Sequence, residues 1–169
     1  MSQTTAELIV SCLENEGVTH VFGLPGEENI YLLDALSRSS IRFILVRHEQ
    51  GASFMAELYG RLTGKAGVCV TTLGPGSINL LLGVTDAFTN STPVVALSAQ
   101  VGLNRIFKES HQNVRLQSLY EPVTKWADTL MTSEAAPEMI RKAFQLAQTE
   151  RPGSTFLAIP QNFETDEAP

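Results

Sequence analysis

The 169-residue sequence predicts an α/β fold, a doubly wound and mostly parallel sheet of six strands with helices on both faces. Three observations carry this. Short apolar runs alternate with amphipathic stretches along the whole chain. One run, Val94-Val-Ala-Leu-Ser98, is nearly continuously apolar, as a strand buried on both faces must be. Glycine- and proline-bearing turns then fall where the strands should end. The composition fits a packed domain, with 43% hydrophobic and 18% charged residues.

Each element follows in order. Thr4 to Glu16 places Leu8, Ile9, Cys12 and Leu13 on one helical face, and Gly17 ends that helix. A short strand, Thr19 to Phe22, breaks at Gly23-Leu-Pro-Gly26, and Glu28 to Leu36 reads as a helix. Arg42 to Val46 is the second strand, Gln50 to Thr63 a helix, and Gly67 to Thr72 the third strand. Gly74-Pro-Gly76 turns into a helix that runs to about Phe88, before the fourth strand at Val94 to Ser98. The polar stretch Ala99 to Gln112 is long enough to suggest a functional loop. Lys125 to Leu130 and Thr155 to Ile159 complete the strands, with a helix from Ala135 to Thr149 between them. Residues 1–163 are expected to form one domain, and the polar tail 164–169 a linker or a truncated end.

Charge and composition exclude several functions. The net charge is −6 and no Lys/Arg run occurs, so neither a nucleic acid nor an anionic membrane is an expected partner. No apolar stretch approaches the roughly 18 residues of a membrane helix, and Met1 to Glu7 lacks the pattern of a signal peptide. Cys12 and Cys69 read as free thiols of a cytoplasmic protein. No metal site is expected, because the three histidines (His20, His48, His111) are scattered. Two cofactor motifs fail. Gly74 to Asn79 has Asn79 where a dinucleotide fingerprint needs its last glycine. Gly60 to Lys65 has too few residues between its glycines for a phosphate loop, and Ala66 stands in place of the hydroxyl residue.

In an open α/β sheet, ligands gather beyond the carboxyl ends of the strands. Arg47-His-Glu49 falls there, directly before a helix. A carboxylate at that place can simply be stabilising the helix dipole. However, Gly23 to Gly26 and Leu73 to Gly76 converge on the same edge, and both turns would let a flat ring approach the backbone.

Taken in order, Gly17-Val, Val21-Phe-Gly-Leu-Pro-Gly26, Arg47-His-Glu49, Gly64-Lys, Gly74-Pro-Gly76 with Asn79, Pro93-Val-Val-Ala-Leu and Pro152-Gly-Ser resemble the aminopyrimidine-binding (PYR) domain of thiamine-diphosphate enzymes. The resemblance covers essentially the whole chain. It implies that Glu49 bonds N1′ of the aminopyrimidine and favours the 4′-imino tautomer, a task suited to a carboxyl group in an apolar pocket. It implies that Pro25 and Gly26 line the pyrimidine, and that Thr72, Gly74, Pro75, Gly76 and Asn79 shape the cofactor site. His48 is expected to hold the turn by a hydrogen bond rather than to act as a second acid.

Ser98-Ala-Gln-Val101, Phe107-Lys-Glu109 and Val123-Thr-Lys-Trp126 resemble the acetolactate synthase branch. That resemblance makes Gln100, Phe107 and Lys108 candidate substrate residues, with Lys108 attracting the carboxylate of a 2-keto acid such as pyruvate. The implied reaction decarboxylates pyruvate and joins it to a second 2-keto acid, giving 2-acetolactate. Two departures stand out, Asn90 where relatives commonly carry Asp and Ser98-Ala99 in place of the commoner Thr-Gly. Other thiamine-diphosphate 2-keto acid decarboxylases share this framework.

The family's separate PP domain, which holds Mg2+ and the diphosphate, has no counterpart in the sequence, and neither has the middle domain, where FAD can bind. The expected partners are therefore a PP domain of the same or another chain and a further copy in a homo-oligomer, and the chain alone should be inactive. A reading from another class is a non-catalytic dimerisation module that has kept the fold.

Overall fold

The computed structural model describes residues 3–168. Its strands are β1 (His20–Gly23), β2 (Arg42–Leu45), β3 (Gly67–Thr71), β4 (Val94–Gln100), β5 (Trp126–Thr129) and β6 (Ser154–Pro160). All pairings are parallel, in the order β2-β1-β3-β4-β6-β5. The helices are α1 (Thr5–Asn15), α2 (Ile30–Ser37), α3 (Glu49–Thr63), α4 (Pro75–Thr89), α5 (Leu116–Tyr120), α6 (Ala136–Gln148) and α7 (Gln161–Glu164).

The handedness of crossovers decides which face each helix takes. Connections running towards β5 carry α3, α4 and α5 on one face, and those running back carry α2 and α6 on the other, as right-handed crossovers require. Two cores result, one on each side of the sheet. Val68, Val70, Val95, Leu97, Leu157 and Ile159 point to α1, α2 and α6. Their neighbours Cys69, Val94, Ala96, Phe156 and Ala158 point to α3, α4 and α5. This period of two inside continuously apolar strands explains why β3, β4 and β6 are buried along their length. β2 is an edge strand, and both its end residues are exposed.

Local chemistry supports the boundaries. Thr4 and Glu7 form a capping box that starts α1, with Thr4 Oγ1 accepting from the Glu7 amide at 3.3 Å and Glu7 Oε2 from the Thr4 amide at 2.9 Å. Helices α5 and α7 were not foreseen, since five and four residues are too few for a helical period to show. The tail expected to be a linker is docked from Glu164 to Ala168. The Thr5 amide donates to Asp166 at 2.9 Å and the Ala168 amide to Gln3 at 2.8 Å. Pro169 lies outside the described residues. Among the described residues no helix is long and apolar enough to cross a membrane.

The chain turns from β2 on one side of β1 to β3 on the other, so β1 and β3 flank the topological switch point of the sheet. The turns leaving them diverge there and open a crevice.

Candidate functional site

Glu49 opens α3 at the carboxyl edge of the sheet, with His48 as the N-cap, its Nδ1 accepting from the Gln50 amide at 3.2 Å. The Glu49 side chain is folded inward, leaving the residue 7% exposed. Its Oε2 accepts from Asn79 Nδ2, on α4, at 3.0 Å. Among the described residues, Oε1 accepts no hydrogen bond. That oxygen faces Gly76, in the first turn of α4, where a Cβ atom would stand 3.2 Å away.

The two glycine turns close around the same spot. A Cβ on Gly76 would also come within 2.8 Å of Thr71 Oγ1 and of Thr72 Cγ2. A Cβ on Gly26 would lie 2.5 Å from Thr72 Oγ1. The structure thus brings Gly26, Glu49, Thr72, Gly76 and Asn79 together. The Thr71 and Thr72 hydroxyls are buried there with no hydrogen-bond partner among the described residues. A buried hydroxyl left unpaired costs about 1–3 kcal/mol, so the crevice favours a ligand that supplies polar atoms.

The start of α4 is itself anchored. Tyr120, on α5, donates its hydroxyl to the Ser77 carbonyl at 2.6 Å and stacks on Phe156 with ring centres 3.7 Å apart. Burial pushes the Tyr120 phenol upward, and burial likewise pushes up the Cys69 thiol, so both stay neutral. Pro25 and Pro75 are exposed on their turns. Gly74 has φ +55°, and a Cβ there would meet the Gln112 carbonyl oxygen at 2.5 Å. The residue lets the loop after β4 press against the β3–α4 turn.

Of the other three sequence candidates, Gln100 ends β4 and Phe107 and Lys108 lie on that loop. Gln100, Phe107 and Lys108 line a cavity of about 620 Å³, together with Arg115 and Thr129, and Glu49 is not among its lining residues. The Gln100 amide is already in use within the chain. Its Nε2 donates to the Val114 carbonyl at 2.9 Å and its Oε1 accepts from the Val101 amide at 2.8 Å. Phe107 is 87% exposed.

Sequence reasoning missed Thr71 and Tyr120. Thr71 had a signal, a polar pair closing an apolar strand. Tyr120 had none, because its contact with Ser77 joins residues 43 apart in sequence. Among the described residues no group of three or more His, Cys, Asp or Glu side chains is arranged to hold a metal ion.

Comparison with known proteins gives concordant matches. A family model described as "Thiamine pyrophosphate enzyme, N-terminal TPP binding domain" matches residues 3–119. The chain is 46% identical over 157 residues to the catabolic acetolactate synthase of Raoultella terrigena, covering 93% of this chain and 28% of that one. It is 42% identical to the acetolactate synthase of Bacillus subtilis, with the same coverage. It is 40% identical over 162 residues to a probable acetolactate synthase large subunit of Methanocaldococcus jannaschii, covering 96% and 27%. The chain therefore spans between a quarter and a third of the length of these relatives.

Proposed function

From the premise that this chain belongs to the thiamine pyrophosphate enzyme family and carries its N-terminal TPP-binding domain, we propose that it is the aminopyrimidine-holding part of an acetolactate synthase. The observation that carries this reading is the Glu49 carboxylate. It is buried and oriented by Asn79, and it faces the two glycine turns beside the unpaired Thr71 and Thr72 hydroxyls.

The residues present fit the cofactor. Gly26 and Gly76 lack the Cβ atoms that would fill the crevice, so a flat heteroaromatic ring can lie against the backbone there. Thr71 and Thr72 offer hydroxyls that need partners. When bound, thiamine diphosphate supplies the electron sink for 2-keto acid chemistry. Glu49 would hold N1′ of the pyrimidine through its free Oε1, with Asn79 keeping the carboxylate oriented through Oε2. Tyr120 holds the first turn of α4 in place.

Lys108, at the mouth of the loop cavity, attracts the carboxylate of a 2-keto acid such as pyruvate, and Phe107 beside it covers apolar parts of the substrate. Gln100 fixes the loop that carries them, and Pro25, Gly74 and Pro75 shape the turns.

Mg2+ and the diphosphate fall to a PP domain of the same or a partner chain, and FAD, where the parent enzyme holds it, to the middle domain. Residues 1–163 make up the aminopyrimidine-binding domain, onto which the segment 164–168 is docked. Its docking partner meets the outer face of α3 and α4, where Phe54, Met55, Leu58, Leu62, Ile78 and Leu82 stand exposed side by side. The same face serves a homo-oligomer. A cytoplasmic setting suits the two free cysteines, which lie on opposite faces of the sheet.

The test is calorimetric titration of thiamine diphosphate and Mg2+ into the chain and its Glu49→Gln variant, with and without a PP-domain partner. Tight binding only with the partner, lost in Glu49→Gln, is expected, as is acetolactate formation from pyruvate by the assembled pair. Absence of binding in both settings, with the fold intact, replaces this reading with that of a non-catalytic dimerisation module.

A further inference from the structure

Glu164 belongs to a segment whose sequence reads as a linker, yet it is 1% exposed. It is one of the few carboxylates buried to this degree, and unlike Glu49 it lies far from both glycine turns in sequence. Its Oε2 accepts from the Leu32 amide at 3.1 Å, across 132 residues of chain, and its Oε1 is buried without a hydrogen-bond partner among the described residues. Leu32 lies in the first turn of α2, whose leading N–H groups have no partner inside the helix. The carboxylate is therefore the acceptor that closes the start of α2.

The helix start is continuous with the pyrimidine turn. Asn29, the N-cap of α2, is also 1% exposed, and its Oδ1 accepts from the Gly26 amide at 2.8 Å. Gly26 in turn packs directly on Thr72, with room for no Cβ. A chain of contacts thus runs from Glu164 through the first turn of α2 and Asn29 to Gly26 and then to Thr72. The segment directly after α7, which ends at Glu164, is held by the Thr5–Asp166 and Gln3–Ala168 hydrogen bonds. It is not free to follow α2 if the clamp is lost.

We propose that Glu164 is a positioning residue for cofactor binding: by capping α2 from the C-terminal segment it fixes the Leu24–Gly26 turn against Thr72, and so sets the width of the crevice that receives the aminopyrimidine. This rests on the reading of that crevice as a thiamine-diphosphate site. Glu164 itself touches no reacting atom. Its effect passes through Asn29 and Gly26, and it should show in cofactor affinity rather than in turnover at saturation.

Two variants separate the acceptor from bulk. Glu164→Met keeps a side chain of similar length but offers the Leu32 amide no good acceptor, whereas Glu164→Gln keeps an oxygen for it. The Gly26 amide resonance, followed by 15N NMR in the chain, reads the clamp without any cofactor. It should shift in Glu164→Met and stay near its original place in Glu164→Gln. With the PP-domain partner present, the dissociation constant of thiamine diphosphate should rise about tenfold in Glu164→Met, the loss of one buried hydrogen bond, and change less than about twofold in Glu164→Gln. The turnover number at saturating cofactor should hold in both.

An unmoved Gly26 resonance in a folded Glu164→Met overturns the proposal. So does a moved resonance with unchanged affinity, or a Glu164→Gln variant as impaired as Glu164→Met. If the unaltered chain with its partner binds no thiamine diphosphate, the reading of the site fails instead, and the Gly26 resonance still reports whether the clamp exists.

Discussion

The two ends of the sheet use the same residue for opposite purposes. At the amino end, a Cβ on Gly67 would stand 2.0 Å from the Ala56 carbonyl oxygen, and one on Gly60 would stand 2.4 Å from that of Pro93. Those glycines let α3 and the chain entering β4 close onto backbone. At the carboxyl end, Gly26 and Gly76 face threonine side chains and the Glu49 carboxylate, and two hydroxyls there have no hydrogen-bond partner among the described residues. At one end backbone meets backbone, and at the other the polar groups are held short of satisfaction. A fold gains nothing from the second arrangement, which is why that end reads as the site.

The largest effect should come from the group on which that contrast turns. Glu49→Gln keeps the Asn79 contact but cannot share a proton in the same way, so kcat of the assembled enzyme should fall by about 10²–10⁴, the range of a lost general acid–base group. Its thermal midpoint should stay close to that of the unaltered chain. A large loss of stability instead would place Glu49 with the packing residues of the other end.

Next come the glycines themselves. Gly67→Ala pushes a methyl group into backbone that cannot rotate away, and it should cost about 3 kcal/mol of stability in denaturant titration. Gly76→Ala meets side chains, which can yield. It should cost roughly 1 kcal/mol but weaken thiamine diphosphate binding tenfold or more, because the methyl group occupies the crevice. Equal stability losses at the two positions would erase the distinction between the ends.

A pH effect of comparable size is expected from the tail. Burial pushes Glu164 up to about 7, against the opposing pull of the Leu32 and Tyr31 amides. A carboxyl group raised above its unfolded value binds more protons when folded. Its contribution is therefore greatest below about pH 4.5 and declines as pH rises to about 7. The loss is on the order of 3 kcal/mol across that window. Stability measured from pH 4.5 to 7.5 should fall less steeply in Glu164→Gln, and an unchanged slope would contradict the assignment.

The smallest effect should be on the outer face of α3 and α4. Leu62 is 76% exposed, and Leu62→Ser should change the stability of the chain by less than about 0.5 kcal/mol. Self-association measured by sedimentation, or capture of the PP-domain partner, should nevertheless weaken. A stability loss well beyond that would mean the face packs within the chain.

By itself the sequence determined a good deal. The alternation of apolar runs and amphipathic stretches placed all six strands and the long helices, because period and burial are local properties of a strand or helix. It also put Glu49, the glycine turns and Asn79 at strand ends or helix starts, where an α/β sheet gathers its ligands. The order of the strands was another matter. β6 lies between β4 and β5 by pairing residues such as Ala96 with Phe156, and no local pattern encodes a partner 60 residues away. The same holds for what completes the site. Asn79 meets Glu49 only because α3 and α4 pack side by side, and Tyr120 holds α4 from across the chain. Glu164 closes α2 although its neighbours in sequence look like solvent-exposed linker. Hydrogen bonds between distant segments depend on how packed layers bring them together, and that is a property of the tertiary structure alone.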